Sequence, residues 1–149
     1  MNDNFIISKP VSKDDFFQYF DLRWRILRKP LNQKKGSERD NLENNCHHIC
    51  IKDQNSKIVA VGRIHFISNE KKQAQIRYMA VEEKFQKQGL GQKILNELEA
   101  IALLNNVGFI FLEARENAVE FYKKNGYSIK KKSHILYDLI QHWTMYKKI

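Results

Sequence analysis

The chain has few of the residues and segments that mark several protein classes. It contains two cysteines among 149 residues, too few for a disulfide scaffold and in keeping with a reducing compartment. It has no low-complexity segment and no apolar run near the roughly 20 residues that cross a bilayer. Its first residues, Met-Asn-Asp-Asn, are polar and unlike a signal peptide. We therefore expect a cytoplasmic protein with no membrane partner.

The two cysteines also bear on metal binding. If residues 46–50 form a strand, roughly 13 Å separates Cys46 from Cys50 at about 3.3 Å per residue, well beyond the ~7 Å Cα limit for a disulfide. Cys46, His48 and Cys50 would share one strand face, but their spacing argues against a structural zinc site. We expect small buried residues here and no metal.

Acidic residues are in the minority, with 17 Asp and Glu against 26 Lys and Arg and a formal charge of +9. Such an excess is typical of a protein with an anionic partner, whether nucleic acid, acidic substrate or polyphosphate cofactor. The lysines are scattered, and no basic motif interleaved with aromatic residues supports nucleic-acid binding. A solvated surface is the simpler interpretation, and whether the charge favours an acidic substrate or a polyanionic cofactor stays open.

Hydrophobic periodicity predicts one mixed α/β domain over residues 1–149. Apolar residues at helical spacing indicate a helix over about 13–28, capped by Ser12. A polar, mobile loop over 31–45 follows. Three strands then form an antiparallel meander, with its second turn at 68–71. The predicted strands are 5–7, 47–51, 58–67, 74–81, 107–112, 127–132 and 141–148, and two further helices are predicted near 90–102 and over 117–124.

The segment 77–98 indicates a strand, a short basic loop and the start of a helix. Gln86-x-x-Gly89-x-Gly91 falls where the loop becomes the helix. A helix N-terminus carries unpaired N–H groups and a partial positive charge, so it can bind a phosphate. Glycine lets a bulky anion approach the backbone. The segment therefore predicts a pyrophosphate site.

A second motif, Asn-Ala-Val-Glu-Phe-Tyr-Lys-Lys-Asn-Gly-Tyr, occupies residues 117–127. Together with the first motif and the order of elements, it resembles the GCN5-related N-acetyltransferase (GNAT) superfamily. That family combines a Gln/Arg-x-x-Gly-x-Gly/Ala loop with a later Asn, a small residue and Phe-Tyr-x-x-x-Gly-Phe/Tyr. The first motif departs slightly, with glutamines where a basic residue is common. The residues that carry the second motif are Asn117, Phe121, Tyr122, Gly126 and Tyr127, with Ala118 or Val119 near the small position.

The resemblance implies an acetyl-CoA-dependent N-acetyltransferase in which a substrate amine attacks the thioester directly. It implies a mixed, mostly antiparallel sheet with a parallel, splayed strand pair at the cofactor site, flanked by helices. Loop amides would hold the pyrophosphate, with Lys87 and Lys93 nearby, and amides of the fourth strand would bind pantetheine and polarise the thioester. The implied cofactor-binding residues are Met79, Ala80, Val81, Gln86, Lys87, Gln88, Gly89, Leu90, Gly91, Gln92 and Asn117.

The same resemblance implies that Tyr122 is the general acid that protonates the departing thiolate, the alternative being a half-buried aromatic residue beside Phe121. Asn117 would cap its helix, hydrogen-bond the pantetheine arm, or both. The family's usual glutamate base has no direct counterpart, because its position holds Gln75 or Arg77. The identity of the general base therefore stays open, and the candidates are Glu113, His65, Glu43 and a water relay.

The acceptor is predicted only as an amine of a small molecule or peptide. In this family the substrate pocket is usually built from the first helix, the following loop and the last hairpin. Two arginines in these segments, Arg28 and Arg39, either hold a carboxylate or provide surface charge. A homodimer that pairs through the apolar last strand, residues 143–146, is also open. A non-catalytic acetyl-CoA-binding regulatory module is the alternative function. The lining candidates are Trp24, Arg28, Arg39, Glu43, His134 and Tyr137.

Overall fold

The computed structural model describes residues 4–68 and 72–149, so residues 1–3 and most of the turn predicted at 68–71 lie outside the described residues. Seven strands hydrogen-bond in the order β1-β2-β3-β4-β5-β7-β6, with helices on the sheet, which confirms the predicted mixed fold. The strands are β1 Ile6–Ser8, β2 His47–Lys52, β3 Ile58–Ser68, β4 Gln73–Val81, β5 Phe109–Arg115, β6 Ser128–Leu136 and β7 Ile140–Lys148, and the helices are α1 Lys13–Leu27, α2 Leu90–Leu104 and α3 Val119–Lys124.

The chain forms two compact units, the first comprising residues 1–65 and 78–98 and the second residues 66–77 and 99–149. In the first unit, α1 begins where predicted. Ser12 accepts a hydrogen bond from the Asp15 amide, and the Asp15 carboxylate accepts from the Ser12 amide, forming a capping box. Tyr19, Phe20 and Leu22 then bury one face of α1 among strand residues.

Helix α2 approaches β3 closely at Gly62. A Cβ at this position would collide with the Ile94 side chain and would meet Met79 Sδ at 2.7 Å. The approach therefore requires glycine for reasons of space. Ile94, Leu95 and Leu98 are fully buried on the predicted apolar face of α2, so the helix that follows the Gly89 loop is fixed by its core contacts.

In the second unit, β4 and β5 pair in parallel from Gln73–Phe109 to Ile76–Leu112, as the resemblance implies. The strand β5 alternates between buried and half-buried residues, so one of its faces is covered more completely than the other. The last strand, β7, lies between β5 and β6. Because both of its edges are hydrogen-bonded, it has no free edge for the predicted dimer. Within the described ranges, no helix is long and apolar enough to span a bilayer.

Candidate active site

The loop before α2 contains two residues with left-handed backbone conformations. Lys87 and Gly89 take left-handed φ angles of 64° and 85°. A Cβ at Gly89 would meet no atom within 4 Å, so its backbone conformation, rather than lack of space, favours glycine. The side-chain amide of Gln86 donates to the Val81 carbonyl at 3.0 Å. This bond ties the loop to the end of β4.

The first turn of α2 leaves backbone donors for a ligand. The amide of Lys93 donates to the Gly89 carbonyl at 3.1 Å, and the amides of Leu90, Gly91 and Gln92 precede this first helical bond. Such amides have no partner within the helix and lie at its positive end. The structure thus gathers the predicted loop residues, Gln86, Lys87, Gln88, Gly89, Leu90, Gly91 and Gln92, at one helix N-terminus.

Strand β4 contains an unusual residue directly before the predicted pantetheine-binding positions. Tyr78 has a φ of 59°, which is rare for a bulky residue. The ring lies 4.2 Å from the guanidinium of Arg23 and 5.0 Å from that of Arg63. These contacts hold the residue in its strained conformation. Met79, Ala80 and Val81 follow it, beyond the parallel register that ends at Ile76.

Arg23 and Arg63 belong to a buried group of charges, here called the arginine cluster, formed with Asp40 and Glu43. Neither guanidinium has solvent-exposed surface. Arg63 makes two bonds to the Asp40 carboxylate, at 2.7 and 2.8 Å, and a third to Glu43 at 3.1 Å. Arg23 bonds to Glu43 at 2.9 Å. The cluster anchors the polar loop over residues 31–45 that the sequence predicts as mobile.

The predicted pocket residues of the first unit are only partly available to a substrate. Arg28 is buried and donates to the Ser37 carbonyl at 3.0 Å, so neither surface charge nor an open carboxylate site describes it. Trp24 donates to the Gln33 carbonyl. Trp24 and the half-exposed Arg39 line one cleft of about 370 Å³. Glu43 is held by two arginines, which favours a structural role over that of a base.

Cys46, His48 and Cys50, which the sequence places on one strand face, do not form a single cluster in the structure. Cys50 Sγ lies 3.7 Å from the Ser8 hydroxyl, while Cys46 Sγ, His48 and Glu43 bring potential ligand atoms within 4.8 Å of one another. The arginines on Glu43 oppose a cation there. Burial raises the pKa of Cys46 to about 11, which disfavours the thiolate that metals bind.

Tyr122, in the second unit, has the properties of a proton donor. Its ring packs edge-on against Phe121 and Tyr127. Burial raises the pKa of Tyr122 above its ordinary value, so the hydroxyl stays protonated. Among residues 4–68 and 72–149, no hydrogen-bond partner of this hydroxyl is found. By contrast, the Tyr127 hydroxyl donates to Glu99 at 2.8 Å.

Asn117 does not cap α3, and that prediction is wrong. It is exposed within the 3-10 helix Glu116–Ala118, and the N-cap of α3 is Ala118, without a side-chain bond. The tight turn places Asn117 too early to reach the first amides of α3. Its predicted bond to pantetheine stays a prediction.

The second unit holds another polar group, here called the imidazole cluster, formed by Glu113, Ser133, His134, His142 and Thr144. Ser133 and Thr144 both donate hydroxyl bonds to the Glu113 carboxylate, at 3.0 and 2.6 Å. The rings of His134 and His142 stack with centroids 4.5 Å apart. The cluster includes one predicted base, Glu113, and one predicted lining residue, His134. Tyr137 lies at the tip of the same hairpin, with a left-handed φ of 51°.

Sequence reasoning missed His142, Arg23, Arg63 and Tyr78 as candidate site residues. His65, the remaining predicted base, is buried with Nδ1 3.5 Å from Arg63. The signal that could have found the arginines is their position on apolar stretches, Leu22–Trp24 and Gly62–Ile64, where a solvated charge would not be expected. His142 has a similar signal, because it precedes the apolar run Trp-Thr-Met-Tyr.

Comparison with known proteins gives a family match over most of the chain. Residues 15–127 match the family model described as Acetyltransferase (GNAT) family. The protein named "Uncharacterized N-acetyltransferase YjcF" from Bacillus subtilis (strain 168) is 31% identical over 135 residues, which cover 91% of each chain. The matched region contains the loop before α2 and Tyr122.

Solved structures share the fold at lower identity. An aminoglycoside 6'-N-acetyltransferase complexed with coenzyme A superposes with a TM-score of 0.80 at 18% identity, covering 96% of both chains. A GNAT family acetyltransferase from Elizabethkingia anophelis with acetyl-CoA bound gives a TM-score of 0.76 at 14% identity, covering 99% of both chains. At these identities, the likeness establishes a common fold.

Proposed function

The chain belongs to the acetyltransferase (GNAT) family, and from this we propose that it transfers an acetyl group from acetyl-CoA to an amine of a small molecule or peptide. The amine attacks the thioester carbon directly. The observation that carries the proposal is the family match over residues 15–127, which includes both the anion-binding loop and Tyr122. Two structural relatives are described with coenzyme A or acetyl-CoA bound.

The loop before α2 binds the pyrophosphate of the cofactor. The unbonded amides of Leu90, Gly91 and Gln92 meet the phosphate oxygens at the positive end of the helix. The left-handed Lys87 and Gly89 turn the preceding amides towards the same side. Lys87 and Lys93 add positive charge, which accounts for part of the excess of basic residues.

The backbone of Met79, Ala80 and Val81 binds the pantetheine arm as an added strand. One of their amides donates to the thioester carbonyl and stabilises the oxyanion that forms on attack. Tyr78 directly precedes these amides, and its left-handed φ changes the direction of the backbone at this point of the strand. Asn117 is the candidate side-chain partner of the same arm.

Tyr122 protonates the thiolate as the carbon–sulfur bond breaks. Its hydroxyl is protonated at neutral pH, and the described residues of the protein make no hydrogen bond with it. Because the hydroxyl acts on sulfur only while the carbon–sulfur bond breaks, its removal should lower kcat rather than weaken cofactor binding. General acid catalysis of this kind contributes about 10²- to 10⁴-fold.

The test is a panel of small amines and peptide N-termini with acetyl-CoA, in which free thiol and acetylated product are measured together. Wild-type protein is compared with Tyr122→Phe and with Tyr146→Phe, whose ring stacks on Phe109 away from the motif. We expect kcat to fall about 100-fold or more in Tyr122→Phe and to stay unchanged in the control. Equal activity in all three proteins would remove Tyr122 from the mechanism.

A non-catalytic module that binds acetyl-CoA is the competing function, and the same panel separates it. Such a module would bind acetyl-CoA but release no more thiol than buffer with every amine. Calorimetric titration of acetyl-CoA provides the binding measurement. Tight binding without turnover across the panel would overturn the enzymatic proposal.

A further inference from the structure

The hairpin of β6 and β7 contains an irregularity that brings two histidines together. Lys132 pairs with Trp143 and Ile135 pairs with Gln141, so two residues, Ser133 and His134, stand opposite the single residue His142. Such a bulge redirects side chains and often lies beside an active site. Here it stacks the two imidazoles, with an interplanar angle of 15°.

The hydrogen bonds around the bulge fix the tautomer of His134. The Ser133 hydroxyl donates its proton to Glu113 Oε1 at 3.0 Å. Its oxygen must therefore accept in the second bond, 3.1 Å from His134 Nδ1. His134 Nδ1 carries the hydrogen, and the lone pair of the neutral ring lies on Nε2. An imidazole–hydroxyl–carboxylate chain thus leads from His134 to Glu113.

His142 contacts the His134 ring by stacking against its face. Its Nδ1 lies 3.1 Å from the Ile140 carbonyl, which can only accept, so this nitrogen also carries a hydrogen. Burial lowers the pKa of His142, and His134 and Arg115 lower it further while Glu113 raises it. A neutral His142 can stack on His134 without repulsion. Among the described residues, the charged or titratable groups that act on the pKa of His142 are Glu113 and Arg115 of β5 and the His134 imidazole.

His134 and His142 belong to the second unit, which also contains two of the predicted acetyl-transfer residues, Asn117 and Tyr122. His142 pairs with Arg115, the last residue of β5. The chain continues from Arg115 directly into the 3-10 helix that contains Asn117, and β7 contacts this helix. His134 itself is exposed, so an incoming amine can reach its Nε2.

We propose that His134 is the general base that takes the proton of the acceptor amine, and that Ser133, Glu113 and His142 are positioning residues for its ring. The inference rests on the proposed acetyl transfer. Glu113 is the weaker candidate for the base itself, because both of its oxygens already accept hydroxyl bonds. Its negative charge stabilises the imidazolium through Ser133 instead.

The step balances without a further reactant. The amine nitrogen bonds to the thioester carbon, and its extra proton passes to His134 Nε2. The electron pair of the carbon–sulfur bond leaves with sulfur, which takes the proton of Tyr122. The imidazolium then returns its proton to solvent, and the tyrosine regains one.

The experiment uses the full chain and the best amine of the panel, with kcat/KM measured from pH 5.5 to 9 for wild type, His134→Gln, His134→Ala and Ser133→Ala. His47→Gln, a half-exposed histidine on β2, is the matched control. We expect His134→Gln to lose about 100-fold or more in kcat/KM and to keep only the fall at acid pH that protonation of the acceptor amine itself causes. Ser133→Ala should lose less, and added imidazole should restore part of the His134→Ala rate. Acetyl-CoA affinity, measured by calorimetry, should be unchanged.

Each contrary outcome has a distinct meaning. Wild-type kcat/KM and pH profile in His134→Gln would overturn the base assignment and leave acetyl transfer standing. A loss matched by His47→Gln, or accompanied by weaker acetyl-CoA binding without imidazole rescue, would assign His134 a structural role and also overturn it. No wild-type turnover with any amine would overturn the proposed function, and the base assignment with it.

Discussion

In the arginine cluster of the first unit, two guanidinium groups with no exposed surface meet two carboxylates, whereas the imidazole cluster of the second unit surrounds one carboxylate with uncharged hydroxyl donors. Opposite charges in a dry environment bind strongly only in pairs, and either partner left alone is costly. Neutral donors can be rearranged at much lower cost. The first cluster therefore suits a fixed support, and the second suits a site where protons move.

The remaining bonding capacity of the two clusters supports this distinction. In the arginine cluster, the atoms without a partner in the described part of the chain are Nε of Arg23, Nε of Arg63 and Oε1 of Glu43, all enclosed. Enclosed atoms cannot meet a substrate. In the imidazole cluster, Nε2 of the exposed His134 carries a lone pair that no residue of the described ranges uses.

The largest expected effect comes from breaking the arginine cluster. Arg63→Met keeps most of the side-chain volume but removes both guanidinium bonds to the Asp40 carboxylate, a group that is only 18% exposed. We expect a loss of about 3–5 kcal/mol in the free energy of unfolding, measured by urea denaturation. The control is Arg25→Met, which removes ion pairs with Asp21 and Glu82 from a residue 35% exposed, and should cost below about 1 kcal/mol. Similar losses in the two variants would show that burial does not set the energy of this cluster.

The next effect concerns the aromatic ring between the guanidiniums. Tyr78→Leu removes three cation–π contacts in a buried setting, with Arg23, Arg28 and Arg63, which should lower the unfolding free energy by about 2 kcal/mol. It should also weaken acetyl-CoA binding, since Met79 to Val81 follow directly. Tyr78→Phe retains the ring and should preserve most of both quantities. If the two variants weaken binding equally, the ring does not position the strand.

A third prediction uses pH to test an ion pair that lies outside both clusters. Asp15 accepts bonds from the Val11 and Ser12 amides and pairs with Lys52 at 2.8 Å. The Lys52 bond is the main reason that the Asp15 pKa falls from 3.8 to about 2. Because the folded pKa is the lower one, this stabilisation is present above about pH 4 and is lost as pH falls towards 2.

Asp15→Asn should therefore cost about 1–2 kcal/mol at pH 7, after allowance for solvent screening of the Lys52 pair, and nearly nothing at pH 2. Asp14→Asn is the matched control, because Asp14 bonds only the neighbouring Gln18 side chain among the hydrogen bonds of the described residues. Urea denaturation at both pH values measures the difference. A cost for Asp15→Asn that does not change with pH would contradict the ionic origin of this cap.

Local sequence signals predicted the parts of the fold and site that depend on neighbours in the chain. The Ser12 cap, the apolar face of α2 and the left-handed Gly89 depend on spacings of three or four residues or on one residue's φ range. That residues 1–149 form one domain, and that Gln86 to Gln92 bind the cofactor, remain predictions. The family motif located the loop and Tyr122, although geometry places Asn117 outside the helix it was expected to cap.

The rest depended on contacts distant in the sequence. Arg23 and Arg63 meet Glu43 only when α1, the loop and β3 fold together, and a buried charge is energetically allowed only once its partner is known. The stacking of His134 on His142 depends on the bulge at Ser133. No local pattern marked that bulge, since β6 extends to Leu136, beyond the predicted end at residue 132.

The smallest expected effect on stability comes from removing the charge of the imidazole cluster, as Arg63→Met does in the arginine cluster. Glu113→Gln removes the charge but keeps an oxygen that can accept from Ser133 and Thr144, so the unfolding free energy should change by about 1 kcal/mol or less. This contrasts with Arg63→Met, where the remaining group is an ion. The same variant should lower kcat/KM, because a neutral amide stabilises the His134 imidazolium less than a carboxylate does. A stability loss as large as that of Arg63→Met, with activity retained, would make the imidazole cluster a second support and remove the distinction between the two.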